Sequence, residues 1–203
     1  MVGWCLHKGL AVSLPQENVD TDQLIPARYM SIPRADGYGP YLFYDMRRDE
    51  NGTLRKNFVL NRHKNTTVIV ARRGFGSGSS REAAVYALMD AGIRAVVAPS
   101  FGDIFAANCI NNGLLPACLD EKSCAALENA LANDAKNIRI DIKARVISLS
   151  NIKTGFSLDD SWATKLINGW DDIDLTMDHA AEIAAYKDAR SRNAPWAWPV
   201  VAD

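Results

Sequence analysis

Residues 67–119, TVIVARRGFGSGSSREAAVYALMDAGIRAVVAPSFGDIFAANCINNGLLPACL, alternate short apolar runs with amphipathic segments. The runs at 67–71, 94–100 and 114–119 have the length and composition of buried strands. The segments at 81–92 and 101–113 predict helices that each end near a glycine. Because strands alternate with helices, this stretch predicts an α/β domain with a mostly parallel sheet.

The segments outside this stretch predict antiparallel strands and further helices. Residues 9–14 predict a first strand that ends at Pro15, and residues 137–150 alternate like an antiparallel hairpin. A further helix is predicted at 121–134, and another is expected to start at Pro26. The sheet is therefore predicted to be mixed.

Two segments are poor in regular patterns. Residues 31–57 are rich in Pro, Gly, Asp and Arg, which is typical of a mobile or functional loop, and we expect 31–40 to be poorly ordered in the free chain. Residues 157–190 favour helix and run into the tail NAPWAWPVVAD. We expect that tail to pack on the domain or on a partner, because two exposed tryptophans would be costly.

Composition limits the function classes. With 203 residues, 48% of them hydrophobic, the chain can bury a large core; we predict one domain at 1–156 and a helical extension at 157–203 packed on the same domain. A net charge of −1 with interspersed signs argues against nucleic acid as a partner. No apolar run is long enough for a membrane span and no secretory signal is present, so we expect a cytoplasmic protein.

The four cysteines, Cys5, Cys109, Cys118 and Cys124, form no C-x-x-C pair. Their irregular spacing weakens a zinc, redox or iron–sulfur interpretation within this chain. We predict small buried hydrophobic side chains instead, with no metal ligand among the residues of this chain.

The glycine-rich turn between the first strand of the opening stretch and its helix is the main candidate site. Gly76 and Gly78 permit positive φ and close backbone approach, and Ser79, Ser80 and Arg81 follow at the start of the helix. Arg81 can bind a carboxylate with two parallel hydrogen bonds. The alternative is a capping box formed by Ser79 and Glu82. The turn lacks the Lys of a Walker loop and does not match G-x-G-x-x-G.

A second candidate is NVDTDQLIPARYM, residues 18–30, where two acids flank a threonine. Asp22 could orient a histidine or accept a proton at an interface. The alternative is ordinary turn or helix-entry chemistry for Asp and Asn.

These two stretches, with FVLN at 58–61 and residues 92–119, resemble the small subunit of 3-isopropylmalate dehydratase and, more distantly, the swivelling fourth domain of aconitase. The resemblance implies a swivelling β/β/α three-layer domain. It also implies a hydro-lyase that interconverts 2- and 3-isopropylmalate in leucine biosynthesis, active only with a large subunit. That partner is expected to carry the [4Fe-4S] cluster, and this chain is expected to bind no cofactor.

The same resemblance implies roles for individual residues. Ser79 would remove the carbon-bound proton, and Ser80 and Arg81 would hold a carboxylate of the hydroxy-dicarboxylate substrate. Asp22 would pair with a histidine of the large subunit. Arg34, after LIPARYM, would face the pocket and help to read the substituent that distinguishes family substrates; a solvated loop charge is the alternative.

The chain departs from the family pattern at Gly74, Ser77 and Ala83, where relatives usually carry Asn, Cys and His. The departures leave open a related hydro-lyase acting on another alkylmalate or on citraconate. A non-catalytic module that binds an anion at residues 76–81 is the alternative of another class.

Overall fold

A mixed sheet organises the chain, for which a computed structural model describes residues 2–78 and 81–198. Within those residues the sheet has seven strands in the order β4-β3-β2-β1-β5-β6-β7. They are β1 (Leu6–Leu14), β2 (Thr66–Ala71), β3 (Ala95–Ala98), β4 (Leu115–Cys118), β5 (Lys136–Asp141), β6 (Val146–Leu149) and β7 (Ile152–Gly155). Strands β1 to β4 pair in parallel, and β1, β5, β6 and β7 pair antiparallel.

Helices connect and flank these strands. They are α1 (Thr21–Leu24), α2 (Tyr44–Arg47), α3 (Val59–Arg62), α4 (Glu82–Asp90), α5 (Asp103–Asn112), α6 (Glu121–Leu131), α7 (Asp160–Asn168), α8 (Asp172–Met177) and α9 (Ala180–Asn193). Short 3-10 turns lie at Ala27–Tyr29, Arg34–Asp36, Gly39–Tyr41 and Pro195–Ala197. No helix of the described part of the chain is both long and apolar enough to cross a membrane.

The parallel strands are buried on both faces, which explains why they are continuous apolar runs in the sequence. On one face Ile69 and Val96 belong to a core that includes Leu88 of α4. On the other face Val68 belongs to a core that includes Leu127 of α6. Helices α4 and α5 are the crossovers from β2 to β3 and from β3 to β4.

The sheet curls until its two edges meet. The backbone N–H of Ser157, just after β7, donates to the carbonyl of Cys118 at the end of β4, at 2.8 Å. The two edge strands therefore end beside each other, and the mixed α/β architecture predicted from the sequence is confirmed.

One prediction about local structure is wrong, and another, the antiparallel hairpin that β5 and β6 confirm, is incomplete. The expected helix start at Pro26 is a 3-10 turn, and the real helix, α1, begins earlier because Asp20 caps it in a capping box with Gln23. The predicted hairpin is extended by a third strand, β7, whose residues are too few and too polar to stand out in the sequence.

The C-terminal segment divides into a packed and an exposed part. Leu166 of α7 is fully buried in the core, whereas no residue of α8 or α9 is buried. Trp196 is 81% exposed, so it does not pack on the domain in this structure, and residues 199–203 of the tail lie outside the described residues. The proposed bounds of the domain and of its extension stay predictions. Docking of this segment on a partner stays a prediction.

Candidate functional site

Three loops meet where the parallel strands β1, β2 and β3 end. The N–H of Gly76 donates to the Val19 carbonyl at 2.7 Å, and the N–H of Thr21 donates to the Ser77 carbonyl at 3.1 Å. On the other side, the N–H of Phe75 donates to the Ser100 carbonyl at 3.1 Å. The glycine-rich turn is thus held between two neighbouring loops at the carboxyl edge of the sheet, where α/β proteins bind their ligands.

The turn requires glycine at positions 76 and 78 for different structural reasons. Gly76 has φ +73°, and a Cβ there would lie 2.2 Å from the Phe105 ring. Gly78 has φ +97°, but the nearest atom to its Cβ would be 3.5 Å away, so only the backbone conformation requires glycine. Gly76 needs both the conformation and the space, which gives the supporting role predicted from the sequence a physical basis.

Arg81 and Asp22 come together at this edge. Arg81 is the N-cap residue of α4, and its guanidinium donates to the carboxylate of Asp22, in the first turn of α1. Both side chains are accessible, with 24% of Arg81 and 54% of Asp22 exposed. Because a guanidinium at the positive end of a helix attracts carboxylates, this corner can bind an anion.

The start of α4 also tests the capping alternative. The helix begins at Glu82 with Arg81 as N-cap residue, so a capping box with Ser79 at the N-cap does not describe it. Glu82 instead accepts a hydrogen bond from Nδ2 of Asn112 in α5, at 2.8 Å. Ser79 and Ser80 lie outside the described residues, and their predicted roles stay predictions.

Arg34 lies at the opposite end of α4. Its two terminal nitrogens donate to the Asp90 carboxylate at 2.7 and 3.0 Å, and its guanidinium stacks 4.3 Å from the centroid of the Tyr86 ring. The N–H of Tyr38 also donates to Asp90, at 2.7 Å. Nine helical residues span about 13 Å, so the structure does not bring Arg34 and Arg81 together.

The ion pair with Asp90 affects both interpretations of Arg34, as a residue that faces the substrate pocket and as a solvated loop charge. As a loop charge it is paired with Asp90 and still exposed to solvent over 48% of its side chain, so that alternative stays open. Its contact with substrate stays a prediction, which its position in the free chain does not support. The same anchor holds the segment that was expected to be poorly ordered. Tyr38 is buried, and its hydroxyl donates to the Ile32 carbonyl at 3.0 Å.

Some supporting residues were not predicted from the sequence. Oγ of Ser100 accepts from the N–H of Gly74 at 2.9 Å, and Asn18 lies so close that a Cβ at Gly74 would be 2.3 Å from its Oδ1. Asp20 caps α1 through the N–H of Gln23 at 2.7 Å. Of these residues, only Asp20 could have been recognised in the sequence, from the D-x-x-Q spacing of a capping box.

The cysteines do not form a metal site in the described part of the chain. No three His, Cys, Asp or Glu side chains converge there in a way that would hold a metal ion. Cys109 and Cys124 are buried, as predicted, and burial raises the pKa of the Cys124 thiol to about 12. Cys5 is exposed and Cys118 half-buried, so the prediction of burial is wrong for Cys5.

Comparisons with known proteins identify relatives of this chain. The family model of the aconitase C-terminal domain matches residues 2–122, and the model of the C-terminal domain of 3-isopropylmalate dehydratase small subunits matches residues 172–197. The 3-isopropylmalate dehydratase small subunit of Shewanella baltica is 44% identical over 89% of this chain and 93% of its own length. That of Marinobacter nauticus is 39% identical over 94% of both chains.

A crystal structure of 3-isopropylmalate dehydratase from Methanocaldococcus jannaschii is 26% identical, with a TM-score of 0.63, over 89% of this chain and 99% of that one. The fold, together with the match to the aconitase C-terminal domain, defines a swivelling domain of the aconitase superfamily. Within that superfamily, the chain belongs to the family of 3-isopropylmalate dehydratase small subunits.

Proposed function

We propose that this chain completes the active site of a 3-isopropylmalate dehydratase, which isomerises 2- and 3-isopropylmalate by dehydration and rehydration in leucine biosynthesis. The observation that carries the proposal is the accessible Arg81–Asp22 corner, held at the carboxyl edge of the sheet in a chain of this family. A guanidinium is well suited to orient a substrate carboxylate, because it can donate two parallel hydrogen bonds to it. The large subunit would provide the remainder of the site.

Different residues of this chain would bind the substrate carboxylate and transfer the proton. Arg81 would orient one substrate carboxylate, with Ser80 as a second donor. Ser79 would remove the proton from carbon, favoured by the positive potential of the nearby guanidinium and of the start of α4. Asp22 would lie at the interface with the large subunit, where a histidine would be its partner.

Lewis-acid chemistry at the substrate hydroxyl would be supplied by a [4Fe-4S] cluster on the large subunit. The described cysteines of this chain do not fit such a group, because Cys109 and Cys124 are buried and no three potential metal ligands converge among the described residues. The role of this chain is therefore binding, orientation and proton transfer. We place the complex in the cytoplasm.

A related substrate, another alkylmalate or citraconate, is the second candidate. The observation that favours it is the changed lining of the turn, where Gly74 stands in place of the usual Asn. Because Gly74 has no Cβ, the side chain of Asn18 occupies the adjacent space, and a Cβ would lie 2.3 Å from its Oδ1. Ser77 and Ala83 also differ from the usual residues. These changes alter the shape beside Arg81 without removing Arg81 itself.

Anaerobic reconstitution with the cognate large subunit tests the function. We expect hydro-lyase activity in the complex and none in the isolated chain, with 2-isopropylmalate the best of a panel that includes citraconate and other alkylmalates. Preference for another member would move the assignment to the second candidate. An inactive, fully assembled complex that still binds dicarboxylates would favour the non-catalytic anion-binding module.

Ser79→Ala in the same complex tests the proton transfer. We expect kcat to fall on the order of 10²-fold with KM nearly unchanged, since general acid–base catalysis contributes that much. Ser148→Ala, in strand β6 outside both the candidate site and the C-terminal segment, is the matched control and should leave kcat unchanged. Full activity of an assembled Ser79→Ala complex would contradict the role of Ser79.

A further inference from the structure

The anion-binding side chain of this site already holds an anion in the free chain. Arg81 donates to a carboxylate of the same molecule, that of Asp22, which is 59 positions away in the sequence. The Asp22 side chain is 54% exposed. An ion pair this open to water is weak and exchanges readily with other anions.

The frame that holds Asp22 beside Arg81 does not depend on the ion pair. The N–H of Thr21 donates to the Ser77 carbonyl at 3.1 Å, and Asp20 forms a parallel bridge with Ser77. Asp20, not Asp22, caps α1. The carboxylate of Asp22 is therefore presented to the guanidinium at high effective concentration without being needed for the fold of α1.

We propose that Asp22 is an internal placeholder, whose carboxylate occupies the position on Arg81 that a ligand carboxylate takes. The inference rests on the proposed function, in which Arg81 binds a substrate carboxylate. In the free chain two carboxylates then compete for one guanidinium, and an anion that binds Arg81 with both terminal nitrogens displaces Asp22. In the complex, the displaced carboxylate would be the one that pairs with the histidine of the large subunit. A ligand with only one carboxylate gains little from that exchange, whereas a ligand with additional contacts in the site offsets its cost.

Chemical modification of the isolated full-length chain tests the placeholder. Phenylglyoxal reacts with accessible guanidinium groups, and peptide mass spectrometry gives the rate at each arginine. Asp22→Asn keeps the size of the side chain and removes its charge. We expect Arg81 to react about two- to fivefold faster in Asp22→Asn than in the wild type, as the loss of an exposed ion pair predicts.

A second pair in the same molecule is the matched control. Arg28 donates to the exposed carboxylate of Asp45, so Asp45→Asn should accelerate modification of Arg28 and leave Arg81 unchanged. Added L-malate should protect Arg81 at a lower concentration in Asp22→Asn than in the wild type, by the same factor. Equal rates at Arg81 with and without the Asp22 carboxylate, in variants that are folded at the temperature of the reaction, would overturn the placeholder.

The dehydratase assay of the wild-type complex separates this inference from the proposed function. Faster modification of Arg81 in Asp22→Asn, together with an inactive wild-type complex, would support the exchangeable pair and refute the function. Unchanged modification together with an active complex would refute the placeholder alone.

Discussion

The two ends of helix α4 carry the same chemistry in different settings. Each has an arginine paired with an aspartate, Arg81 with Asp22 at the start and Arg34 with Asp90 at the end. At the end of the helix, Asp90 accepts from both terminal nitrogens of Arg34 and from the Tyr38 backbone. At the start, Asp22 is more exposed than Asp90, with 54% against 23% of the side chain accessible, whereas Arg81 is less exposed than Arg34, with 24% against 48%.

The number of bonds that each aspartate accepts, rather than the exposure of the arginines, indicates which arginine can exchange its partner for a ligand. Asp90 lies at the negative end of α4, where a carboxylate is unfavourable, and its hydrogen bonds to the 34–38 segment offset that cost. Arg34 is therefore used to anchor a segment. Arg81 lies at the positive end, and in our proposal its partner Asp22 is exchanged for the carboxylate of a ligand.

The largest expected effect on stability comes from substituting a glycine near the start of α4, and a glycine just after its end provides the comparison. Gly76→Ala should lower the free energy of unfolding by about 3 kcal/mol or more, because its Cβ would overlap the Phe105 ring at positive φ. Gly92, just after α4, has φ +89° and no atom within 4 Å of its Cβ position. Gly92→Ala should cost only about 1 kcal/mol, and urea denaturation of both variants measures the contrast. Equal losses would show that the contact with Phe105 does not hold the turn.

Loss of the Asp90 anchor should have the next largest effect. Asp90→Ala removes three hydrogen bonds and leaves the Arg34 charge without its partner, so we expect a loss of about 2 kcal/mol in stability. Hydrogen exchange should also accelerate in residues 32–38. Asp36→Ala, at an exposed position of the same segment, is the control. Unchanged exchange in Asp90→Ala would mean that the segment is held by other contacts.

Removal of the Asp22 charge, at the start of α4, should have the smallest effect on stability. Asp22→Asn should reduce stability by less than about 1 kcal/mol, because the ion pair that it breaks is exposed and screened by water. Thermal unfolding at low and high salt measures it, and the small difference from the wild type should shrink further as salt rises. A loss as large as that of Asp90→Ala would show that the two ends are equivalent.

The sequence predicted the parallel half of the fold well, and the reason is physical. Strands such as β2 and β3 are buried on both faces, so they stand out as apolar runs between helices. Helix α1 was misplaced because its four residues give no periodicity, and β7 was missed because it has few apolar residues. Short elements depend on tertiary contacts that local patterns do not contain.

The candidate site was predicted in part. The turn containing Gly76 and Gly78 was identified from its composition, since positive φ favours glycine. The partners of the two arginines were not predicted, because Asp22 and Asp90 are more than fifty positions away from Arg81 and Arg34. Pairing at that separation is decided by the packing of α1, α4 and the 3-10 turns, which only the structure gives.

The most direct test of the different roles of the two arginines compares Arg81→Lys with Arg34→Lys in the assembled complex. Lysine keeps the charge and loses the planar fork, so we predict that KM rises on the order of tenfold for Arg81→Lys. For Arg34→Lys we predict a KM within about twofold of the wild type, with the loss appearing in stability instead. Assembly of both variants should be verified first by size-exclusion chromatography. A rise in KM for Arg34→Lys as large as that for Arg81→Lys would contradict the assignment of Arg81, rather than Arg34, as the binding residue.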